Sequence, residues 1–208
     1  MNDYGLTVML LLAYLIGATP TSYLAGKLGR AIDLREHGSK NLGATNVYRV
    51  LGWRYAIPVA LIDMAKGVVP IAILGPWSNG PGWFTVALGL AAVLGHMYSP
   101  YVRFKGGKGV ATAAGMFLAL APLAVVISIP IWAATLWLSG YVSVASLAVV
   151  ALFPVWVRIT APGQLYAFWS SVVLALMIVY SHRANIRRLR DGTENRFQTR
   201  KVAREVRE

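Results

Sequence analysis

The stretch that decides the fold runs from Val110 to Tyr180 and reads VATAAGMFLALAPLAVVISIPIWAATLWLSGYVSVASLAVVALFPVWVRITAPGQLYAFWSSVVLALMIVY. Arg158 is its only charged residue. A helix needs about 20 apolar residues to span a hydrocarbon core of about 30 Å, so this stretch is long enough for several spans. It is interrupted at Pro122, at Ser139-Gly140 and over Arg158–Gly163. We therefore predict four crossings, at Val110–Ala121, Leu123–Leu138, Tyr141–Val157 and Gln164–Ser181.

Three more apolar stretches precede this one, at Tyr4–Leu24, Tyr55–Trp77 and Trp83–Tyr98. Together they predict an all-α, polytopic integral membrane bundle of about seven transmembrane helices. The segment Val110–Ala121 is short for a full span, which fits a tilted helix or a partial crossing. Two crossings in the long stretch, instead of four, would give five helices. No soluble domain fits in the remaining sequence, so residues 1–208 are predicted to form a single membrane-embedded domain.

The composition agrees with a membrane protein and excludes several other classes. Of the 208 residues, 57% are hydrophobic and only 13% are charged, whereas a soluble domain carries about 25% charged residues. This apolar content excludes a disordered chain. The chain contains no cysteine, which excludes disulfides, thiolate metal sites and a cysteine nucleophile. The net charge of +12 must therefore lie outside the hydrocarbon.

The basic residues are grouped in three blocks, which predict the orientation. Eighteen of the 20 Lys and Arg residues lie in Lys27–Arg54, Arg103–Lys108 and Arg183–Arg207. Basic residues near the ends of spans mark the cytoplasmic side. The N-terminus is therefore predicted outside and the C-terminus inside, with residues 182–208 as a basic cytoplasmic tail that either is attracted to anionic membrane lipids or binds a partner. Nothing interleaves basic and aromatic residues as a nucleic-acid surface would, so no nucleic-acid partner is predicted.

The first inward loop, Gly38–Arg49, reads GSKNLGATNVYR and is more elaborate than a connector requires. Its glycines permit tight turns, and backbone N–H groups in such turns can gather around an anion. Arg49 offers a planar fork for phosphate oxygens. The alternative is a capped turn in which Ser39 or Asn41 starts the next helix.

The second inward loop, Phe104–Thr112, reads FKGGKGVAT. It lacks the Walker A spacing, but it is a glycine-rich turn that leads directly into an apolar helix. Free N–H groups, the helix dipole and Lys108 would then converge on one point, which favours a phosphate site. The alternative is a flexible basic turn that only orients the protein.

The third inward element, Ser181–Glu194, carries His182 and Asn185 three residues apart, on one face of a helix. His96, at the inner end of the third span, could join them. Asp63 and Lys66 lie three apart inside the second span, where such a pair faces the bundle interior and serves as structural glue or as a wall of the site. No carboxylate or histidine cluster has ligand spacing, so no metal and no cofactor are predicted.

The stretches Gly38–Arg49, His96–Gly115 and His182–Glu194 resemble, in order and spacing, the three cytoplasmic motifs of the bacterial acyl-phosphate:glycerol-3-phosphate acyltransferases, the PlsY family. Gly17–Lys27 is similar to the family's first helix, and Tyr141-Val142-Ser143 to its Arg-Tyr-Val-Ser segment. The resemblance covers nearly the whole chain and omits only the tail beyond Glu194. One departure is Gly38-Ser39-Lys40-Asn41, where the family commonly has Gly-Ser-Gly-Asn; a positive φ at position 40 would strain Lys40 mildly.

The resemblance implies a seven-helix enzyme of the cell inner membrane, with its site on the cytoplasmic side. It would transfer a fatty acyl group from acyl phosphate to the 1-hydroxyl of sn-glycerol 3-phosphate, giving lysophosphatidic acid and phosphate in the first step of phospholipid synthesis. The implied catalytic residues are Ser39, His182 and Asn185. The implied phosphate- and substrate-binding residues are Asn41, Thr45, Asn46, Arg49, Lys105, Gly106, Gly107, Lys108, Gly109 and Thr112. No oligomeric state is predicted.

The general base stays open at the level of sequence. None of His37, His96 and His182 begins the H-x-x-x-x-D pattern of soluble glycerolipid acyltransferases. Family knowledge assigns the hydroxyl proton to a substrate phosphate, whereas the residues alone would also allow His182. Two other functional classes compete. A transporter of an organic phosphate would need outward-facing polarity, but the outer loops are almost bare; a non-catalytic scaffold would leave the dense motifs unexplained.

Overall fold

The computed structural model describes residues 3–197, and the rest of the predicted cytoplasmic tail lies outside them. Within this range the chain is all-helical, with no strand. A π-helical turn at Pro70–Leu74 joins the fourth helix to the fifth, and a short 3-10 turn at Pro100–Val102 follows the sixth. The helices are α1 (Asp3–Ala18), α2 (Thr21–Arg30), α3 (Ala44–Leu51), α4 (Trp53–Val69), α5 (Gly75–Ser78), α6 (Gly82–Met97), α7 (Val110–Leu120), α8 (Pro122–Ser139), α9 (Val142–Thr160), α10 (Leu165–Ser181) and α11 (Arg183–Arg190).

Apolar helices occur at all seven predicted places, which confirms the fold class. Five segments in residues 3–197 are long and apolar enough to cross a membrane, namely Asp3–Arg30, Trp53–Ser78, Gly82–Val102, Pro122–Ser139 and Val142–Thr160. The sixth, α10, continues into α11 through a bend of 53°. The seventh, α7, has 11 residues and is shorter than a full span, as its sequence predicts.

The first predicted span, Tyr4–Leu24, is not one continuous helix. α1 ends at Ala18, and α2 begins after Pro20, whose missing N–H removes a helical hydrogen bond. The carbonyls exposed by this break are satisfied from elsewhere in the bundle. The Ser99 hydroxyl donates to the Ala18 carbonyl at 2.5 Å, and the Lys66 ammonium donates to the Thr19 carbonyl at 2.5 Å.

Glycines allow the central helices to approach closely, as is typical of membrane bundles. A Cβ at position 17 on α1 would lie 2.0 Å from the Ala92 carbonyl oxygen on α6. A Cβ at position 115 on α7 would lie 1.9 Å from the Met64 carbonyl oxygen on α4. α7 is therefore held directly against α4, and its N-terminal end lies beside the polar residues of that helix.

The outer surface of the bundle is apolar, in contrast to a soluble protein. Large side chains such as Leu11, Ile129 and Leu176 are more than half exposed along the spans, and Trp77 and Trp137 are exposed near helix ends, as in the aromatic belts of membrane proteins. With the lengths of the spans, this surface shows a multi-pass integral membrane protein.

Candidate active site

A polar cavity of about 610 Å³ lies at one end of the bundle, where the three motif stretches meet. The loop before α3, the first turns of α7 and α9, and the α10–α11 junction form its walls. Its polar lining includes Ser39, Lys40, Asn41, Thr45, Asn46, Arg49, Asp63, His96, Lys108, Ser143, Ser146, Ser181, His182, Asn185, Arg188 and Glu194. The structure therefore brings together residues separated by more than 100 positions in the sequence.

Asn46 holds the first loop in its folded shape. Its buried amide accepts a hydrogen bond from the Ser39 backbone N–H at 2.7 Å and donates to the carbonyls of Leu34 and His37 at 3.0 Å each. The hydroxyls of Ser39 and Thr45 make no hydrogen bond to other described residues and border the cavity. Asn46 therefore shapes the loop, while the two hydroxyls are free to bind a ligand.

The backbone conformation at Lys40 and the start of α3 are two further features of the first loop. Lys40 has a φ of +59°, so its backbone lies in the left-handed region. A lysine in place of the family's usual glycine is therefore strained at this position, as expected for a positive φ. The structure gives no support to capping by Ser39 or Asn41, because α3 begins at Ala44 with Gly43 as its N-cap and no side-chain cap.

The glycine loop differs from its sequence-based picture in one respect. The N–H groups of Gly106 and Gly107 are not free for an anion, because they donate to the carbonyls of Met97 and His96 at 3.1 and 3.0 Å. These bonds fold the loop back onto the end of α6. The backbone donors with no partner among the described residues come later, at Gly109, the N-cap of α7, and at Val110 and Ala111 in its first turn, and all three residues border the cavity.

Lys108 is fixed by a chain of polar contacts across the cavity. Its ammonium donates to the Asn185 side-chain oxygen, and the Asn185 amide donates to Glu194 Oε1 at 2.6 Å. The same carboxylate accepts from the Ser143 hydroxyl at 2.9 Å and from Arg188 Nε at 2.7 Å. Glu194 therefore connects the glycine loop, the start of α9 and α11.

Burial and neighbouring charges perturb this network. Burial, with repulsion from Arg188 and Arg49, lowers the pKa of Lys108 to about 8, although Glu194 opposes the shift. Burial alone would raise the pKa of Glu194, but hydrogen bonds from Asn185, Arg188 and Ser143 outweigh it and the net pKa lies below its usual range. The cavity therefore contains a lysine that titrates near neutral pH and a carboxylate that stays ionised.

Arg49 is the second cation directed to the site. One of its terminal nitrogens donates to the Asn195 carbonyl at 3.2 Å, but its buried Nε has no partner among the described residues. The guanidinium of Arg49 is partly buried, and this burial lowers its pKa. A guanidinium with an unused buried donor is suited to an incoming anion, because phosphate oxygens would complete its hydrogen bonds.

His182 follows the last residue of the α10 span and has a defined tautomer. Its Nδ1 lies 2.8 Å from the Ile178 carbonyl, which can only accept, so Nδ1 carries the proton and Nε2 is the free acceptor. Burial and the positive charge of Lys108 lower the pKa of His182 to about 4. The ring is therefore neutral at pH 7 and borders the cavity as a weak base.

Asp63 and Lys66 together hold the break between α1 and α2, and Asp63 also borders the polar cavity. The Lys66 ammonium lies 2.6 Å from Asp63 Oδ1, and the Thr21 hydroxyl bonds to the same oxygen. His96 Nδ1 lies 3.6 Å from that oxygen. The role of structural glue fits both residues, whereas only Asp63 also forms part of the wall of the site.

The cavity carries an excess of positive charge. Four basic side chains border it, namely Lys40, Arg49, Lys108 and Arg188, against the carboxylates of Asp63 and Glu194. Asp63 is already neutralised by Lys66. Positive groups held in a partly water-excluded site interact strongly with anions. The arrangement can therefore bind phosphorylated ligands and stabilise negative charge that develops on them.

Four of the predicted binding residues do not border the cavity. Lys105 is exposed. Gly106 and Gly107 hold the loop against the end of α6 through their backbone N–H groups. Thr112 is buried in α7, and its hydroxyl has no partner among the described residues. The polar cavity residues that were not predicted include Ser143, Ser146, Ser181, Arg188 and Glu194. Glu194 could have been found from the sequence, because it and Asp191 are the only acidic residues of the third motif.

An apolar cavity of about 180 Å³ adjoins the polar one, deeper in the bundle. Val110, Ala114 and Trp132 line both cavities and form their common boundary. The Trp132 indole N–H donates to the Ser146 hydroxyl at 3.3 Å, which fixes the ring in this position. The site therefore has a charged compartment and an apolar compartment in direct contact.

Comparisons with known proteins agree on one family. A family model described as glycerol-3-phosphate acyltransferase matches residues 7–192. A glycerol-3-phosphate acyltransferase from Geotalea daltonii is 45% identical over 92% of this chain and 97% of its own length. A protein of the same name from Chlorobium luteolum is 41% identical over 92% of this chain and 96% of its own.

Two solved structures have the same fold. Both are described as PlsY (YgiH), an integral membrane glycerol 3-phosphate acyltransferase, and both are 36% identical to this chain. The glycerol 3-phosphate form gives a TM-score of 0.88 over 96% of this chain and 98% of that one; the lysophosphatidic acid form gives 0.84 over 95% and 98%. Family model, relatives and structures together show that this chain belongs to the glycerol-3-phosphate acyltransferase family and is an integral membrane acyltransferase of the PlsY type.

Proposed function

We propose that the protein transfers a fatty acyl group from an acyl phosphate to the 1-hydroxyl of sn-glycerol 3-phosphate. The products are lysophosphatidic acid and inorganic phosphate, in the first step of phospholipid synthesis. The reaction takes place at the cytoplasmic face of the cell inner membrane, without a cofactor. Membership of an acyltransferase family argues against the alternative, a transporter of an organic phosphate.

The observation that supports this proposal best is the contact between the two cavities. Both substrates carry a phosphate, and one of them also carries a long apolar chain. A charged compartment bordered by Arg49 and Lys108, joined to an apolar one at Trp132, matches that combination. The solved relatives are described as glycerol 3-phosphate and lysophosphatidic acid forms, one ligand without and one with an acyl chain.

The reaction needs positioning more than strong acid–base catalysis. The glycerol hydroxyl oxygen attacks the acyl carbonyl carbon, the new ester bond forms, and the bond from that carbon to the phosphate oxygen breaks. The released phosphate is a good leaving group, so orientation of the hydroxyl supplies much of the rate. Lys108, Arg49 and the free N–H groups at the start of α7 would take up charge on the carbonyl oxygen and on the departing phosphate.

The hydroxyl proton goes to a substrate phosphate rather than to His182 in this proposal. A base is most effective when its pKa lies near the working pH. The pKa of His182 is about 4, whereas the second ionisation of a phosphate ester lies at about 6. The substrate dianion is therefore the stronger base, and His182 serves to bind and orient through Nε2.

The test is a defined reaction of the purified protein in lipid vesicles. Palmitoyl phosphate and glycerol 3-phosphate are supplied, and released phosphate and lysophosphatidic acid are measured. The glycine loop offers a matched pair of variants: Lys108→Ala removes a cavity residue, whereas Lys105→Ala removes an exposed lysine. We expect turnover with the wild type and with Lys105→Ala, and strong loss with Lys108→Ala. No phosphate release from folded wild-type protein would exclude the proposal.

The proposed orientation has a separate test, because the chain has no native cysteine. A single cysteine is introduced as Asn79→Cys in the uncharged loop, or as Lys105→Cys in the glycine loop, both at exposed positions. In intact spheroplasts a membrane-impermeant maleimide should label the first variant and spare the second until the cells are opened. The opposite labelling pattern would place the polar cavity outside.

A further inference from the structure

The adjoining apolar cavity is formed by four helices, α7 to α10, and its walls offer almost nothing polar. Its lining consists of Val110, Ala113, Ala114, Phe117, Val125, Ser128, Ile129, Trp132, Val149, Val150, Phe153, Ser171, Leu174, Ala175 and Ile178. The hydroxyls of Ser128 and Ser171 are already used, because they donate to the carbonyls of Ala124 and Phe168 in their own helices. The cavity is therefore suited to a hydrocarbon rather than to a polar ligand.

The depth of this cavity can be measured along the helices that form it. Val110 lies at the boundary with the polar cavity, and Phe117 lies seven residues further along α7. Ser146 borders the polar cavity, and Phe153 lies seven residues further along α9. Seven residues of helix correspond to a rise of about 10 Å. An extended chain of 16 carbons is longer than this, so the cavity has room for only part of such a chain.

An aromatic pair closes the deep end. The rings of Phe117 and Phe153 meet edge to face, with their centroids 4.7 Å apart and their planes at 63°. Beyond them the bundle is packed by small and branched side chains that do not line the cavity, with Ala121, Ala124 and Val157 at most 3% exposed. The two rings are therefore the last movable groups before a filled core.

We propose that Phe117 and Phe153 determine the length of acyl chain that the enzyme accepts, with the chain lying in this apolar cavity. The inference rests on the proposed acyl transfer, because it takes the carbonyl to lie at the boundary with the polar cavity. Ile129 lines the cavity and is also 61% exposed on the outer surface of α8, which gives a membrane-bound chain a lateral entry.

Packing, rather than removal of apolar surface from water, would supply the selectivity. An acyl phosphate in a bilayer already has its chain in hydrocarbon, so the hydrophobic effect contributes little between lipid and cavity. A chain that stops short of the rings leaves a void, and a chain that reaches too far must displace them or leave the cavity. In enzyme pockets one methylene too many or too few changes kcat/KM by roughly tenfold or more.

The experiment is a competition between acyl phosphates of different length in the same vesicles. Tetradecanoyl, hexadecanoyl and octadecanoyl phosphate are mixed in equal amounts with glycerol 3-phosphate, and the products are counted by mass spectrometry. Phe153→Ala should raise the ratio of octadecanoyl to tetradecanoyl product by about tenfold. Ala175→Leu, which fills the cavity, should lower that ratio by a similar factor. The matched control is Leu152→Ala, beside Phe153 but partly exposed on the outside of α9.

Each outcome bears on one of the two proposals. No product from any acyl phosphate with the wild type would contradict the proposed function itself. Active variants with an unchanged ratio would mean that the chain leaves the cavity beside α8 instead of meeting the rings, and would overturn the inference. If Phe153→Ala does not fold, Ala175→Leu and the milder Phe153→Leu still test it, because they change the volume of the cavity in opposite directions.

Discussion

Lys108 gives the most quantitative prediction, because its charge is lost in an accessible pH range. Burial and the neighbouring arginines lower the pKa of this lysine to about 8. The charged form is the one that binds phosphate, and it is the form present below that pKa. With a pKa of about 8 the charged fraction falls from about 90% at pH 7 to about 10% at pH 9. We therefore expect kcat/KM to fall about tenfold over these two pH units.

The assay is initial phosphate release at low substrate concentration, measured from pH 6.5 to 10. Substrate phosphates do not confuse the result, because their second ionisation is nearly complete by pH 7. Two variants identify the group. Lys108→Arg should abolish the fall, since a guanidinium stays charged throughout this pH range. Glu194→Gln should move the fall to lower pH, because Glu194 raises the pKa of Lys108.

The reasoning would be refuted by a wild-type profile that is flat from pH 7 to 9.5. It would also be refuted by a fall that stays at the same pH in Lys108→Arg, since another group would then be responsible. The position of the fall is independent of total activity, so partial inactivation of a variant does not hide the answer.

Three further predictions follow from the geometry of the site. His182→Gln should raise KM and lower kcat by less than about 10²-fold, because a group with a pKa of about 4 orients substrate instead of removing its proton; a loss in kcat above about 10³-fold would instead identify it as the base. Arg49→Lys should raise KM for the acyl phosphate by about 10- to 100-fold, since lysine lacks the buried Nε donor, and an unchanged KM in steady-state titrations would contradict this. Gly107→Ala should lower kcat/KM by about 10²-fold, since its Cβ would lie 2.2 Å from His96 Nε2 and 2.5 Å from the Leu42 carbonyl oxygen; the control Gly163→Ala adds a Cβ in open space and should match the wild type.

Much of the bundle could be predicted from hydrophobic length and from the positions of the basic residues. The helices α6, α8 and α10 begin and end within two residues of their predicted bounds. The first predicted span, Tyr4–Leu24, lies within the Asp3–Arg30 span of the structure, but the break at Pro20 inside it was not predicted. The turn at Pro70–Leu74 could not be predicted from the sequence, because a π-helical turn depends on how neighbouring helices pack and not on local preference.

Several residues that border the cavity could be predicted from the sequence, but the contacts that each one makes could not. The resemblance to the PlsY motifs implied one pocket for Ser39, Arg49, Lys108 and His182, and in the structure all four border one cavity. The sequence could not show that the Asn46 side chain bonds to its own loop and not to a ligand. Its three hydrogen bonds join groups 7 to 12 residues away and form only in the folded turn.

The same limit applies to the glycine loop and to the aromatic pair. The N–H groups of Gly106 and Gly107 bond to the end of α6, and a glycine-rich motif alone does not reveal which of its donors are free. Phe117 and Phe153 lie on separate helices, and an apolar stripe gives no sign of the cavity that the two rings close. Contacts between distant segments decide both features.

The most direct test of the central claim is a donor competition on the purified protein. Deuterated palmitoyl phosphate and unlabelled palmitoyl-CoA are supplied together in vesicles with glycerol 3-phosphate. The deuterated and unlabelled fractions of the lysophosphatidic acid are then measured by mass spectrometry. The proposed acyl transfer from an acyl phosphate predicts that the product carries the deuterated chain and that one phosphate is released for each molecule formed. Unlabelled product, or deuterated product without phosphate release, would contradict acyl transfer from an acyl phosphate.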